Sequence, residues 1–209
     1  MRSDTRRLGA PAGVPRGLYG VADSSFGDVV AQARMLAEAG VGVVQLRCKG
    51  WSQEAIAEAA ARCVGLGPLL VVNDAVGVAR ALGAWTHLGQ GDGEGPVDIP
   101  FGRSCHELTE VDAIASLLHA GRGPVPAYIG FGPVFGTVTK DTGYTPRGVG
   151  LLAEVVRRSP VPVVAIGGIT LEAAAAVRAA GAWGQAVIGG IWRSAEPRVQ
   201  IDAFIRATR

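Results

Sequence analysis

Beyond residue 16, short apolar runs alternate with alanine-rich stretches whose apolar positions recur with helical spacing. In order, the apolar runs are GLYGVAD, VGVVQLRCK, PLLVVND, WTHLGQ, PFGRSCH, PAYIGFGPVF, VPVVAIGGI and WGQAVIGGIW. The stretches between them include DVVAQARMLAEAG, SQEAIAEAAARCVGLG, ELTEVDAIASLLHAG and LEAAAAVRAAG, each long enough for a helix with one apolar face. Strand-length runs alternating with amphipathic helices are the pattern of repeated βα units around a parallel sheet. Eight such runs predict an α/β fold of the (β/α)8 TIM-barrel type rather than an open doubly wound sheet. One unit breaks the rhythm. Between Gln90 and Gly102 the chain reads GDGEGPVDIPF, too short and too rich in glycine and proline for a crossover helix. The fourth helix is therefore expected to be reduced or missing. Residues 1–16 are expected to form a flexible N-terminal segment, and residues 17–209 a single barrel domain.

Composition narrows the function classes. The chain has 209 residues, 48% of them hydrophobic, and a formal charge of +2 spread along its length. The densest basic run, Arg2, Arg6 and Arg7, lies in the N-terminal segment, which gives no support for nucleic-acid binding. No stretch approaches the ~18 consecutive apolar residues of a membrane span, and MRSDTRRLGAPAGVPRG lacks the apolar core of a secretory signal. A cytoplasmic location without membrane partners is expected. Cys48, Cys63 and Cys105 form no CxxC pair and are expected to be reduced thiols.

Barrels bind ligands at the C-terminal ends of their strands, so the residues closing each apolar run carry the functional signal. In VVQLRCKG, Val43, Gln45, Arg47 and Lys49 share one face of a strand. Two cations pointing the same way call for neighbouring carboxylates or an anionic ligand. Asp74 and Asp92, at the ends of adjacent runs, are either ion-pair partners for those cations, turn or capping residues, or joint ligands of one divalent ion. Asn73, Gln90, Ser104, His106, Thr137, Thr139 and Lys140 complete a polar set at the strand ends. The pairs Gly167–Gly168 and Gly189–Gly190 close the last two runs, where barrels hold phosphate groups on backbone N–H groups. His106 shares a face with Ser104, whereas Cys105 points the other way; His87 is read as a structural histidine.

Taken together and in order, VVQLRCK, VVNDAVGVA, HLGQGD, GRSCH, GPVFGTVTK, VAIGGI and the closing GI resemble the thiamine-phosphate synthase and thiazole tautomerase superfamily, over about Leu18 to Trp192. The resemblance implies a (β/α)8 transferase that joins a hydroxymethylpyrimidine diphosphate to a thiazole phosphate and releases pyrophosphate. It implies that Gln45, Arg47, Lys49, Asn73, Ser104 and Lys140 hold the pyrimidine diphosphate and that Asp74 and Asp92 bind Mg2+. Thr137, Thr139, Gly168, Ile188 and Gly189 would hold the thiazole phosphate, and Arg47, Lys49, Lys140, Ser104 and His106 form the implied catalytic set.

The chain departs from that pattern at Cys48, where the family usually has glutamate, and at Gly189, where a serine is common. GAWTHLGQ also lacks the aspartate and one residue of the usual sequence. RGVGLL and SAEP resemble the tautomerase branch, in which a histidine at the place of His106 moves a proton without a metal. The intact Gln90-Gly91-Asp92 segment and Thr137 to Lys140 favour the synthase. A third reading is a non-catalytic barrel that binds small phosphorylated ligands. Without a fourth helix, strands four and five are expected to expose apolar surface, for which a homodimer is the natural cover.

Overall fold

The computed structural model describes residues 13–136 and 145–209. Eight parallel strands close into a barrel in chain order. They are β1 (Gly17–Asp23), β2 (Val43–Arg47), β3 (Leu69–Asn73), β4 (Trp85–Leu88), β5 (Phe101–Cys105), β6 (Tyr128–Phe131), β7 (Val163–Ile166) and β8 (Gly184–Val187). β1 pairs with both β2 and β8, which completes the circle. Around it run α1 (Val29–Glu38), α2 (Gln53–Ala61), α3 (Val76–Ala81), α4 (Leu108–Ala120), α5 (Gly148–Arg158), α6 (Leu171–Ala179), the single turn α7 (Gly189–Trp192) and α8 (Pro197–Thr208). Several helices start where a polar side chain satisfies their orphan N–H groups: Asp28 caps α1, Ser52 caps α2 and Thr170 caps α6.

The two-residue period of the strands divides the core in two. Inward-facing Tyr19, Val21, Val43, Val71, Tyr128, Val164 and Ala186 fill the barrel. Their neighbours Leu18, Ala22, Val44, Leu46 and Val72 face outward and pack under the helices with Leu36, Ile56, Leu152 and Ile201. Below β1, Val14 is buried in the inner cluster, beside the partly buried Trp85 and Trp183. The Trp183 indole N–H donates to the Val14 carbonyl at 2.9 Å, and the Arg16 guanidinium lies 4.1 Å from the Trp183 ring centroid. The N-terminal end of the barrel is thus closed by aromatic side chains and the chain entering β1.

Residues 89–100, between β4 and β5, contain no helix, as their glycine and proline content predicts. The expected exposure of strands four and five does not follow. The outward-facing Leu88, Phe101 and Cys105 are all buried, and the loop itself lies over Phe101. Its backbone passes so close to Phe101 that a Cβ on Gly95 would stand 2.1 Å from the ring. Val97 is left exposed, while these outward side chains of β4 and β5 are covered within the chain.

Candidate active site

The C-terminal strand ends enclose a cavity of about 390 Å³. Gln45, Arg47, Asn73, Ser104, His106, Gly168, Ile188 and Gly189, all singled out from the sequence, line it. Lys49, Asp74 and Asp92 follow β2, β3 and β4 and form a cluster of their own, next along the chain from the lining residues Arg47 and Asn73. Thr137, Thr139 and Lys140 lie outside the described residues. Cys105 faces away from the cavity into the outer core, as strand alternation requires.

His87, expected to be structural, lies at the cavity. β4 has four residues, so a position near its start already reaches the cavity, and His87 lines the wall. It belongs to a chain of polar groups across the cavity floor. Gln45 Nε2 donates to the Tyr19 hydroxyl at 3.1 Å, and the Tyr19 and Tyr128 hydroxyls are 2.6 Å apart. The Tyr128 hydroxyl lies 3.0 Å from His87 Nδ1, and His87 Nε2 lies 3.1 Å from Ser104 Oγ. One polarity lets each hydroxyl in the chain donate once: Gln45 to Tyr19, Tyr19 to Tyr128, Tyr128 to His87, and His87 Nε2–H to Ser104. Ser104 then accepts from below and keeps its own proton to donate upward. Burial raises the pKa of both tyrosines far above the usual phenol range, so both phenols are neutral. Sequence reading missed Tyr19 and Tyr128, although each alternates with other inward residues of its strand.

His106 is also oriented. Its Nδ1 contacts the Gly132 carbonyl, which can only accept, so the proton is on Nδ1. Its backbone N–H donates to Glu110, which also accepts from the Glu107 N–H in the capping box that starts α4.

The cations at the end of β2 have different partners. Arg47 Nη1 lies 2.6 Å from Asp23 Oδ2, and that aspartate is buried and also accepts from the Ser25 backbone and hydroxyl. Lys49 pairs with Asp74, in a more exposed setting. Asp74 is the one non-glycine with a left-handed backbone among the described residues (φ 63°), a conformation associated with functional strain. Its carboxyl is close enough to that of Asp92 for each to act on the other's ionisation. Burial raises the Asp74 pKa, outweighing the nearby Lys49, and the adjacent Asp92 pushes the same way. For Asp92, burial is outweighed by the Gly89 N–H, the Asp74 side chain and the charges of Lys49 and Arg103, so its pKa falls. Two such carboxyls, with no third acidic, histidine or cysteine group clustered among the described residues, fit an ion that takes few protein ligands and completes its shell with water and phosphate oxygens.

Opposite this cluster, the cavity wall is formed by Gly167, Gly168, Thr170, Ile188, Gly189, Gly190 and Arg193. Gly168 is demanded by packing in its own right: its φ is 63°, and a Cβ there would stand 2.2 Å from the Gly136 carbonyl oxygen. The absence of a serine at Gly189 leaves backbone rather than hydroxyl at that point of the wall, and Arg193 brings a cationic side chain that the sequence reading overlooked.

No helix among the described residues is long and apolar enough to cross a membrane. Comparison with known proteins matches residues 18–191 to the family described as thiamine monophosphate synthase (TMP-TENI). A thiamine-phosphate synthase of Anaeromyxobacter dehalogenans is 38% identical over 192 residues, covering 87% of this chain and 82% of that protein. One from Caldivirga maquilingensis is 33% identical over 204 residues, covering 93% and 97%. The solved structure of a thiamine phosphate pyrophosphorylase from Pyrococcus furiosus superposes with a TM-score of 0.78 at 26% identity, covering 92% of this chain and 95% of that one. Closed barrel, strand-end polar cluster and near full-length similarity agree: the chain belongs to the thiamine monophosphate synthase family.

Proposed function

We propose that the chain joins hydroxymethylpyrimidine diphosphate to thiazole phosphate, releasing pyrophosphate, with Mg2+ held by Asp74 and Asp92. The observation that carries this reading is the neighbouring Asp74 and Asp92 carboxyls with Lys49 paired to Asp74, just beyond the ends of β2, β3 and β4, the first two of which bring Arg47 and Asn73 to the cavity. Asp74 and Asp92 would hold Mg2+, which would supply positive charge for the diphosphate leaving group. Arg47 and Lys49 face the same leaving group and stabilise the charge that develops on it. Ser104, fed from below by His87, has its proton available for the ring or the diphosphate. The uncharged tyrosine floor and apolar Val21, Val164 and Ile166 exclude water from the electron-poor methylene until the thiazole nitrogen attacks it. No protein nucleophile takes part. On the opposite wall, Gly168, Ile188 and Gly189 receive the thiazole phosphate together with Thr137 and Thr139, while Lys140 serves the diphosphate; these last three lie outside the described residues.

The test is incubation with both substrates and Mg2+. Thiamine phosphate and pyrophosphate are expected in equal amounts, and Asp92→Asn is expected to lower turnover at least about 100-fold, by loss of a metal ligand. Isomerisation of a thiazole carboxylate phosphate without metal, and no coupling, would instead establish the tautomerase reaction with His106 moving the proton.

A further inference from the structure

The segment 89–93 carries Asp92 but has no helix to fix it, and two of the hydrogen bonds that hold it among the described residues come from one side chain that does not face the cavity. Arg103 lies on β5 between Gly102 and the cavity-lining Ser104, so its side chain points outward. Its Nη1 donates to the Gly89 carbonyl and its Nη2 to the Gly93 carbonyl, each at 2.8 Å. These two carbonyls bracket Asp92. The Gly89 N–H in turn donates to Asp92 Oδ2 at 2.6 Å, so Gly89 is tied to Arg103 on one side and to the carboxylate on the other. Farther along, Gly95 rests on the Phe101 ring, and the Arg103 guanidinium stands 5.7 Å from that ring's centroid. A planar fork with two divergent N–H donors suits two carbonyls four residues apart; a lysine ammonium, a single point of charge, lacks that geometry.

We propose that Arg103 is a positioning residue: by gripping the helix-free segment on both sides of Asp92, it keeps that carboxylate beside Asp74 and sets the affinity of the pair for a divalent cation. The inference rests on reading the pair as the Mg2+ site. Arg103 also lends its charge to Asp92, in the same direction as Lys49. Removing an outer partner of a metal ligand typically costs 10–100-fold in metal affinity, and here the loss should fall on binding rather than on the chemical step.

The experiment uses Mn2+ alone in place of Mg2+, counting the free ion by electron paramagnetic resonance, with the full chain and four variants. Arg103→Met, which keeps length and packing but loses both donors, is expected to weaken Mn2+ binding at least about tenfold, and Arg103→Lys by less. Gly95→Ala leaves Arg103 intact but pushes the loop off Phe101, and it is expected to weaken binding too. In turnover, Arg103→Met should need more Mg2+ for half-maximal rate and recover most of its kcat at saturating metal. A folded Arg103→Met that binds Mn2+ as tightly as the unaltered chain overturns the proposal; should that variant fail to fold, wild-type affinity in Gly95→Ala overturns it. Asp92→Asn separates the two readings: loss of Mn2+ in that variant with none in Arg103→Met sinks Arg103 alone, while unchanged binding in Asp92→Asn sinks the metal site and this proposal with it.

Discussion

Arg47 lines the cavity, yet its guanidinium is committed to Asp23, a carboxylate with 1% of its side chain exposed. Removing one partner of a buried pair leaves the other charge without compensation, which typically costs about 3–5 kcal/mol. Because Arg47 keeps some contact with solvent, Arg47→Ala is expected at the lower end, about 3 kcal/mol, read as a fall in the urea midpoint. Its loss of turnover would thus mix chemistry with stability. Lys49→Ala is the cleaner probe: its pair with Asp74 is largely exposed and contributes at most about 1 kcal/mol, so a fall in kcat should come with an almost unchanged midpoint. Strand alternation in VVQLR was enough to place Gln45 and Arg47 on the cavity wall. It said nothing of Asp23, because the partner is chosen by the β1–β2 register, in which Asp23 stands opposite Arg47. The place of His87 on the wall was not legible for a related reason: depth along a strand depends on its length, and periodicity does not fix strand ends.

At the level of elements, β1 and α1 approach each other closely where Gly20 faces Leu36. A Cβ on Gly20 would lie 2.8 Å from Leu36 Cδ1, and Leu36 is fully buried. Gly20→Ala alone is expected to cost about 1–3 kcal/mol by overpacking, and Leu36→Ala about 3 kcal/mol by leaving a cavity. Together they should cost less than the sum, since the new methyl enters the space that the leucine vacates. A double-mutant cycle of denaturation midpoints would show a coupling above about 0.5 kcal/mol; strict additivity would refute the contact. The missing fourth helix was legible from GDGEGPVDIPF alone, because glycine and proline act locally. The way the loop compensates was not: Gly95 against Phe101 and Arg103 across Gly89 and Gly93 join residues brought together only by the path of the loop over β5.

For the molecule as a whole, burial sets an alkaline limit. It pushes the Cys48 thiol up to about 11 and the Cys105 thiol up to about 12, from an ordinary 9.0, and raises Cys63 as well. Below pH 9.0 folded and unfolded chains both keep these protons, so stability is unaffected. Above it the unfolded chain releases protons that the folded chain retains, and stability falls as pH rises toward the folded values. The melting temperature is therefore expected to stay level from pH 7 to about 9 and then decline, and a thiol reagent should react at pH 8 only after unfolding. The eight-stranded closure was readable from the alternation of runs, since it repeats one local pattern. The stopper of Val14 and Trp183 under the barrel was not, being a contact across 169 residues. That stopper makes the chamber a cul-de-sac. On the proposed reaction, a ring resting on the tyrosines would enter before anything lodged at the rim, and the product would leave by the door through which its halves came.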